Sequence, residues 1–384
     1  MEMIALIDKS FGNNALNEKV RCSSISNSFY LFILTALCCL ANFETKSQSL
    51  HFSQFGFNPL YASPAYANLM DGDYRFNIVY RNQWANVPVN YNTVSASAEM
   101  NFFQFEKGTR LGGGLQFQYD RAGDSRFTFM QAALPISAAI RLGKKHWVSV
   151  GISPGFVYRS FDTRNLFFDS QFTGDYFDST ASTNESFPRT SSFAFDVGLG
   201  LAYQFVKNQR NGFQIGFQYG HINQPALSFF NDGDVRMGSV ISLHLKGTAK
   251  LAERFDLVPE YFYRFQAASV FLGDVNLQEH TIGMFVRSYL DYTPKRRVAL
   301  NTGVYCRMNP RRKLVSQSNV VVDALYPLIG LEYNTLKVNA TYDVNLSSFT
   351  PATQNNGGVE ISLIYEFSRV KKLRKTGTQC PTFL

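Results

Sequence analysis

The sequence predicts an all-β fold: a transmembrane antiparallel outer-membrane β-barrel of about 14 strands, with an N-terminal periplasmic or lumenal segment ahead of it. Three observations predict it. Apolar and polar residues alternate with a period of two in one run after another, as strands with two unlike faces require. The face opposite the apolar one carries Gly, Ser, Gln, Asn and isolated charges, over runs of about nine to eleven residues, near the length that crosses a bilayer at a tilt. Connections alternate short and long, as in barrels with periplasmic turns and outward loops. A soluble β-sandwich also alternates, with its apolar residues facing a core. The weakly polar second face and its length favour the barrel.

Length alone, 384 residues, would suggest two or three domains, but 36 Phe, 20 Tyr and short alternating runs point to one large β structure. The first element is an apolar core of 13 residues, Phe29 to Ala41, preceded by Lys19 and Arg21. Its length and flanks make residues 1–47 a signal peptide cleaved between 41 and 48. A lipid-modified Cys38 or Cys39 would need small residues just before it, and they are absent.

Residues 48–74 follow as a plug-like segment. Its Asn58-Pro59 and Ser63-Pro64 pairs hold Asn58 and Ser63 away from helix. The strand period then begins: Phe76, Ile78 and Tyr80 point one way, Asn77, Arg81 and Gln83 the other. Fourteen strands are expected: 75–83, 91–101, 111–119, 127–142, 147–158, 191–204, 213–221, 240–250, 255–265, 279–289, 298–305, 324–333, 336–343 and 358–367. The alternation is clearest in Met130, Ala132, Leu134, Ile136, Ala138 and Ile140, and in Phe193, Phe195, Val197, Leu199 and Leu201. Aromatics near strand ends, Phe213 and Tyr219 or Tyr365 and Phe367, suggest an interfacial girdle. The barrel thus spans 75–367 and a basic periplasmic tail fills 368–384.

An even strand count puts both chain ends on the periplasmic side. The short turns 143–146, 251–254 and 334–335 then lie inside, and the loops 159–190, 222–239, 266–278, 306–323 and 344–357 outside. That topology separates Cys306, at the start of an outer loop, from Cys380 in the periplasm, and argues against a disulfide between them.

The formal net charge is +8, concentrated in the tail at Arg369, Lys371, Lys372, Arg374 and Lys375. A basic run can bind nucleic acid, but in an exported chain it reads as a solvated tail near anionic lipid or a partner. No catalytic constellation stands out, and neither a cofactor nor a metal is expected. The histidines His51, His146, His221, His244 and His280 have no metal-ligand spacing. His221 and His244 could serve as a base in a barrel-wall hydrolase; the plainer reading is surface or lumen histidines. Gly112-Gly113-Gly114 sits within an alternating strand, where close packing explains it better than phosphate binding.

The inward face carries Arg81, Glu99, Arg141, Asp196, Glu260, Arg264, Arg287, Lys337, Asp343, Glu360 and Glu366. Buried charges must be paired or wet. Either water fills the lumen, or the polar segment 48–74 enters it and pairs with them; Arg81 and Gln83 would hold it. The long loop 159–190 mixes Asp162, Asp169, Asp175 and Asp178 with Phe161, Phe167, Phe168, Phe172 and Tyr176, a composition suited to binding a protein at the cell surface.

Several stretches, in order, resemble one family. Gln54 to Tyr61 with Asn58-Pro59, then Pro64-Ala65-Tyr66, then Arg81-Asn82-Gln83-Trp84 resemble the opening signature of the PorP/SprF family of Bacteroidetes outer-membrane proteins. Asp120-Arg121-Ala122-Gly123 resembles its next motif, and His221 to Pro225 its central His-x-x-x-Pro segment. Tyr342-Asp343 and the strand after Gly357 resemble its closing strands, and Cys380-Pro381 its ending. Asn68 departs from the family's usual Gly, and 159–190 and 306–323 match poorly. The resemblance implies a non-enzymatic part of the type IX secretion and gliding machinery, integral to the outer membrane. It implies partners too: the C-terminal domains of large secreted surface proteins outside, and a peptidoglycan-linking or secretion-machinery protein in the periplasm. A passive or substrate-selective pore is the alternative function.

Overall fold

A computed structural model describes residues 50–368, except 84–90, 106–107, 165, 173, 175, 231–234, 268–276, 294–295, 312–318 and 347–355. The expected signal peptide and basic tail therefore lie outside the described residues, as do Trp84, Asp175, Cys380 and Pro381.

The strand segments are β1 (Tyr74–Gln83), β2 (Tyr91–Gln104), β3 (Arg110–Ala122), β4 (Phe127–Ala133), β5 (Ile136–Arg141), β6 (His146–Ser160), β7 (Ser191–Asn208) and β8 (Asn211–Gly220). They continue as β9 (Val240–Ala252), β10 (Phe255–Gln266), β11 (Leu277–Tyr292), β12 (Arg297–Arg311), β13 (Asn319–Tyr333), β14 (Leu336–Asn345) and β15 (Asn356–Phe367). Each pairs antiparallel with its neighbours, and β1 pairs with β15 from Tyr74↔Phe367 to Gln83↔Gly358, which closes the sheet. β4 and β5 lie end to end between β3 and β6, so the barrel has fourteen staves. The break falls at Leu134-Pro135, where proline has no N–H to give the ladder. It is bridged: Leu134 N–H donates to Pro154 O at 2.8 Å, and Gly114 N–H to Pro135 O at 2.9 Å.

The barrel is polar inside and apolar outside. In β1, Arg75, Asn77 and Arg81 are buried while Phe76, Ile78 and Tyr80 are exposed. The same inversion holds for Ser95, Ser97 and Glu99 against Met100, and for Gln116 and Gln118 against Leu115 and Phe117. A soluble sandwich would bury the second set; a lipid-facing barrel exposes it. Strand ends carry paired aromatics, such as Tyr74 stacked on Phe367 at 5.0 Å and Tyr203 tilted against Phe213 at 5.7 Å. Turns on the side where β1 begins are short, including 142–145, 209–210, 253–254 and 334–335, and mark the periplasmic end.

Two expectations need correction. The outer loop expected at 306–323 is shorter, because β12 runs on to Arg311 and β13 starts at Asn319. The ladder continues through Pro310, which pairs with Val320 at the strand's outer end. Cys306 therefore lies within β12, facing away from the lumen-facing Tyr305 and Arg307 on either side. Arg141, expected in the lumen, turns to the periplasmic end and donates to Gly143 O at 2.9 Å and Lys144 O at 3.1 Å.

Candidate functional site

Residues 50–73 occupy the barrel lumen. They form three short turns: a 3-10 turn Phe55–Phe57, a helical turn Pro59–Ala62 and a 3-10 turn Pro64–Asn68. Proline starts the second and third turns, where a missing N–H does no harm. Asn58 and Ser63 stay non-helical ahead of them, with φ, ψ of −131°, 76° and −167°, 135°, and Ser63 Oγ accepts from Ala65 N–H at 3.2 Å.

The segment is less polar than its sequence suggests. Phe52, Phe55, Phe57, Leu60 and Tyr66 are all buried. Phe55 stacks on Phe262 at 5.0 Å and meets Tyr305 edge-on at 5.9 Å; Phe57 packs on Phe285 at 5.7 Å. Each such side chain removed from water contributes about 1.5–3 kcal/mol.

Polar groups set the register. Arg81 Nη1 donates to Glu360 at 3.0 Å and to Ser53 Oγ; its Nη2 donates to Asp343 at 2.8 Å and to Gln83 Oε1 at 3.3 Å. Arg307 adds a second cation to Asp343 at 3.2 Å. The Glu360 carboxylate also accepts the N–H groups of Ser53 and Gln54 at 2.8 and 2.7 Å. Gln54 donates to Glu360 O at 2.7 Å and accepts from Ser362 Oγ at 2.6 Å. Deeper, Lys246 pairs with Glu260 at 2.6 Å and donates to Gly56 O at 3.2 Å, while Tyr305 Oη donates to Glu260 at 2.7 Å. Asn77 donates to Phe57 O at 2.6 Å. At the base, Arg75 pairs with Glu99 and donates to Tyr66 O at 3.0 Å.

Shape holds the third turn. Gly112, Gly151, Gly200 and Gly216 face it from β3, β6, β7 and β8, and Gly151 pairs with Gly200 in register. A Cβ on Gly151 would lie 2.7 Å from Ala65 N, and one on Gly112 2.8 Å from Asn68 Cβ. One on Gly216 would strike the Tyr66 hydroxyl. Asn68 fills its place by donating to Arg110 O at 3.2 Å and accepting from Ser149 Oγ at 3.2 Å.

The sequence pointed to Arg81, Gln83, Asp343, Asn58, Pro59, Pro64, Ala65 and Tyr66, and the structure gathers them around this segment. It left out Arg75, Lys246 and Arg307. Their signal was parity: Arg75 shares a face with Arg81, and Lys246 with His244. The glycines on successive strands were read as part of the polar face; their shared depth was the missed clue.

Other motif residues sit elsewhere. Asn82 faces outward and donates to Asn92 Oδ1 at 2.7 Å. Tyr342 is on the outer face of β14. Asp120 accepts from Thr93 Oγ1 at 2.6 Å, Arg121 is exposed, and Gly123, at φ 78°, opens the tight turn after β3. His221, at φ 54°, bonds Asp196 at 2.9 Å, and Gln131 donates to the other Asp196 oxygen at 2.9 Å. Asn223 bonds the β7 backbone at Val197 N–H and Phe195 O, and Pro225 O accepts from Met237 N–H at 2.9 Å. The His-x-x-x-Pro stretch thus clamps an outer connection onto β7. Among the described residues no group of three or more His, Cys, Asp or Glu is placed to hold a metal ion.

The 161–190 loop is built from rings. Phe161 packs on Phe187 at 5.1 Å and on Phe229 at 4.8 Å, and Phe168 lies 6.2 Å from Phe187. A second cluster joins Phe167, Phe172 and Phe177. It is open to solvent, with Phe167 70% exposed and Phe172 57%, and Tyr176, next to Phe177 in the chain, is 66% exposed. Asp169 starts a 3-10 turn beside it. Asp162 pairs with Arg164 at 2.7 Å, and those hydrogen bonds hold its carboxyl below the usual range.

The model of one protein family, described as "Type IX secretion system membrane protein PorP/SprF", matches residues 44–365. No curated protein matches significantly. Among solved structures, the toluene transporter TbuX of Ralstonia pickettii is 11% identical, with a TM-score of 0.46, over 81% of this chain and 94% of that one. A FadL homologue of Pseudomonas aeruginosa is 11% identical at a TM-score of 0.44, over 81% and 93%. The P. putida toluene transporter TodX is 11% identical at 0.42, over 80% and 94%.

Proposed function

The chain belongs to the PorP/SprF family of type IX secretion system membrane proteins, and on that premise we propose that it holds large exported surface proteins by their C-terminal domains at its outer loops. The observation that carries this reading is the exposed ring cluster around Phe167 and Phe172, with exposed Tyr176 next to it in the chain, above a barrel whose lumen is already occupied. An exposed aromatic patch with acidic neighbours suits a protein partner. A filled lumen suits a docking barrel better than an open pore.

In this reading the short turns at the periplasmic end contact the secretion or gliding machinery. The barrel performs no chemistry of its own. Deleting the gene is expected to strip large surface proteins from the cell; their normal display would refute the proposal. Replacing Phe167, Phe172 and Tyr176 together by Ser tests the site. Display should fall while the barrel reaches the membrane at its usual level. In planar bilayers the purified barrel should stay closed, whereas a steady conductance would favour a pore.

A further inference from the structure

The lumen segment runs through the barrel in one direction. Its last residues lie at the periplasmic rim, where Asp73 N–H donates to Phe367 O at 3.0 Å and Asn101 Nδ2 to Gly72 O at 3.0 Å. Its first described residues lie near the opposite end. Leu50 O accepts from the Tyr61 hydroxyl at 3.0 Å, and Arg264 of β10 bonds that same hydroxyl. Ser53 bonds Arg81 of β1 and Asp343 of β14. Arg264, Arg81 and Asp343 each stand two residues from the outer end of their strand.

Different forces hold the two ends. Towards the periplasm, backbone sits against the glycine track and continues covalently into β1. No dissolved group can compete with that fit. Towards the outside, Phe52 packs edge-on against Tyr61 of the segment itself at 5.1 Å, while Ser53 and Gln54 are tied to the barrel wall by hydrogen bonds to Asp343 and Glu360, which a charged ligand can replace. Around this end, among the described residues, stand three guanidinium groups, Arg81, Arg264 and Arg307, against four carboxylates, Glu279, Asp323, Asp343 and Glu360. Carboxyl groups outnumber guanidinium groups in this set, so a basic group is the competitor it would admit.

We propose that the segment is operated from the cell surface. Leu50–Gln54 is its releasable end, 68–73 its fixed end, and the releasing ligand is a basic peptide stretch that competes for Asp343 and Glu360. The ligand clause rests on the surface docking proposed above; the direction of the segment does not.

The test uses the full-length protein carrying Cys306→Ser and Cys380→Ser, with a single cysteine at His51→Cys or at Asp71→Cys. Cells are treated with a bulky polyethylene glycol maleimide that intact outer membranes exclude. His51→Cys should label on intact cells, and Asp71→Cys only after permeabilisation. Adding Asp343→Asn, which weakens hydrogen bonds to a charged group, should speed His51→Cys labelling about tenfold. Labelling of His51→Cys only after permeabilisation, with and without Asp343→Asn, overturns the proposal. Tetra-arginine should speed the reaction and tetra-glutamate should not; equal responses to the two, including none, overturn the basic ligand. The readout is labelling rather than export, so failure here and failure of the docking role are separate results.

Discussion

Replacing Arg81 by Ala removes one group that touches Ser53, Asp343 and Glu360 together. The two carboxylates are left in different positions. Asp343 keeps Arg307 at 3.2 Å. Glu360 keeps only hydrogen-bond donors, chiefly the N–H groups of Ser53 and Gln54. Stripping a buried carboxylate of its cation costs about 3–5 kcal/mol. At about 1.4 kcal/mol per factor of ten, the outer half of the segment should be loosened by roughly two to three and a half orders of magnitude. The lower half stays seated, so the expected result is a barrel that folds but leaks. Heat-modifiable migration on gels checks folding; planar-bilayer conductance and sensitivity to large antibiotics read the leak. Arg81→Ala with Glu360→Gln removes the stranded charge, and the amide oxygen can still accept from one of the two N–H groups, Ser53 or Gln54, that the carboxylate held on separate oxygens. That double variant should leak less than Arg81→Ala alone. Unchanged conductance and antibiotic sensitivity in Arg81→Ala, or a double variant worse than the single, would refute the reasoning.

Gly151→Ala places a methyl 2.7 Å from the Ala65 nitrogen, so overpacking of about 1–3 kcal/mol should loosen the third turn. Protease protection of residues 63–69 in the purified barrel should drop, while Gly143→Ala, whose nearest neighbour is 3.7 Å away, should leave it unchanged. His221→Ala removes the Asp196 clamp at a cost of about 1–3 kcal/mol. Limited proteolysis should then cut faster between 221 and 239, and any lipase activity of the preparation should stay the same; lost activity would restore the hydrolase reading. Glu99→Gln withdraws the counter-charge of buried Arg75, which stays close only to Glu366 at 3.7 Å. The melting temperature in detergent should fall, and should fall less when Arg75→Met is added.

The barrel was legible because lipid and lumen impose opposite polarity on alternate residues. Met130 to Ile140 kept one phase through Pro135, so β4 and β5 read correctly as one stave even though the ladder breaks there. Strand ends were harder to read. Beyond the bilayer nothing forces alternation, and β12 runs past Cys306 into Asn309-Pro310-Arg311, which looks like loop chemistry. The lumen segment was legible in position but not in character. Its prolines announced irregular chain, whereas Phe52, Phe55 and Phe57 gave no period to show that they pack inside. Arg81 stood out as a charge on an inward face. Its partners Ser53 and Glu360 lie hundreds of residues apart, and only closure of the sheet brings them together.

That closure has a consequence for the order of assembly. Thr341, Arg81 and Glu360 lie in one cross-strand row, spanning β14, β15 and β1, and Gln54 bonds the two members of that row on β14 and β15. The residues just upstream of the first strand therefore bind the last two strands, the partners that β1 must find to complete the cylinder. A chain arriving at this point with its interior empty would bring Arg81, Glu360 and Asp343 together without the hydroxyl and amides that complete their bonding. The finished barrel therefore predicts that filling the cylinder and shutting it are coupled: removing Gln54 should slow closure of β1 on β15, and unchanged assembly of Gln54→Ala would refute this.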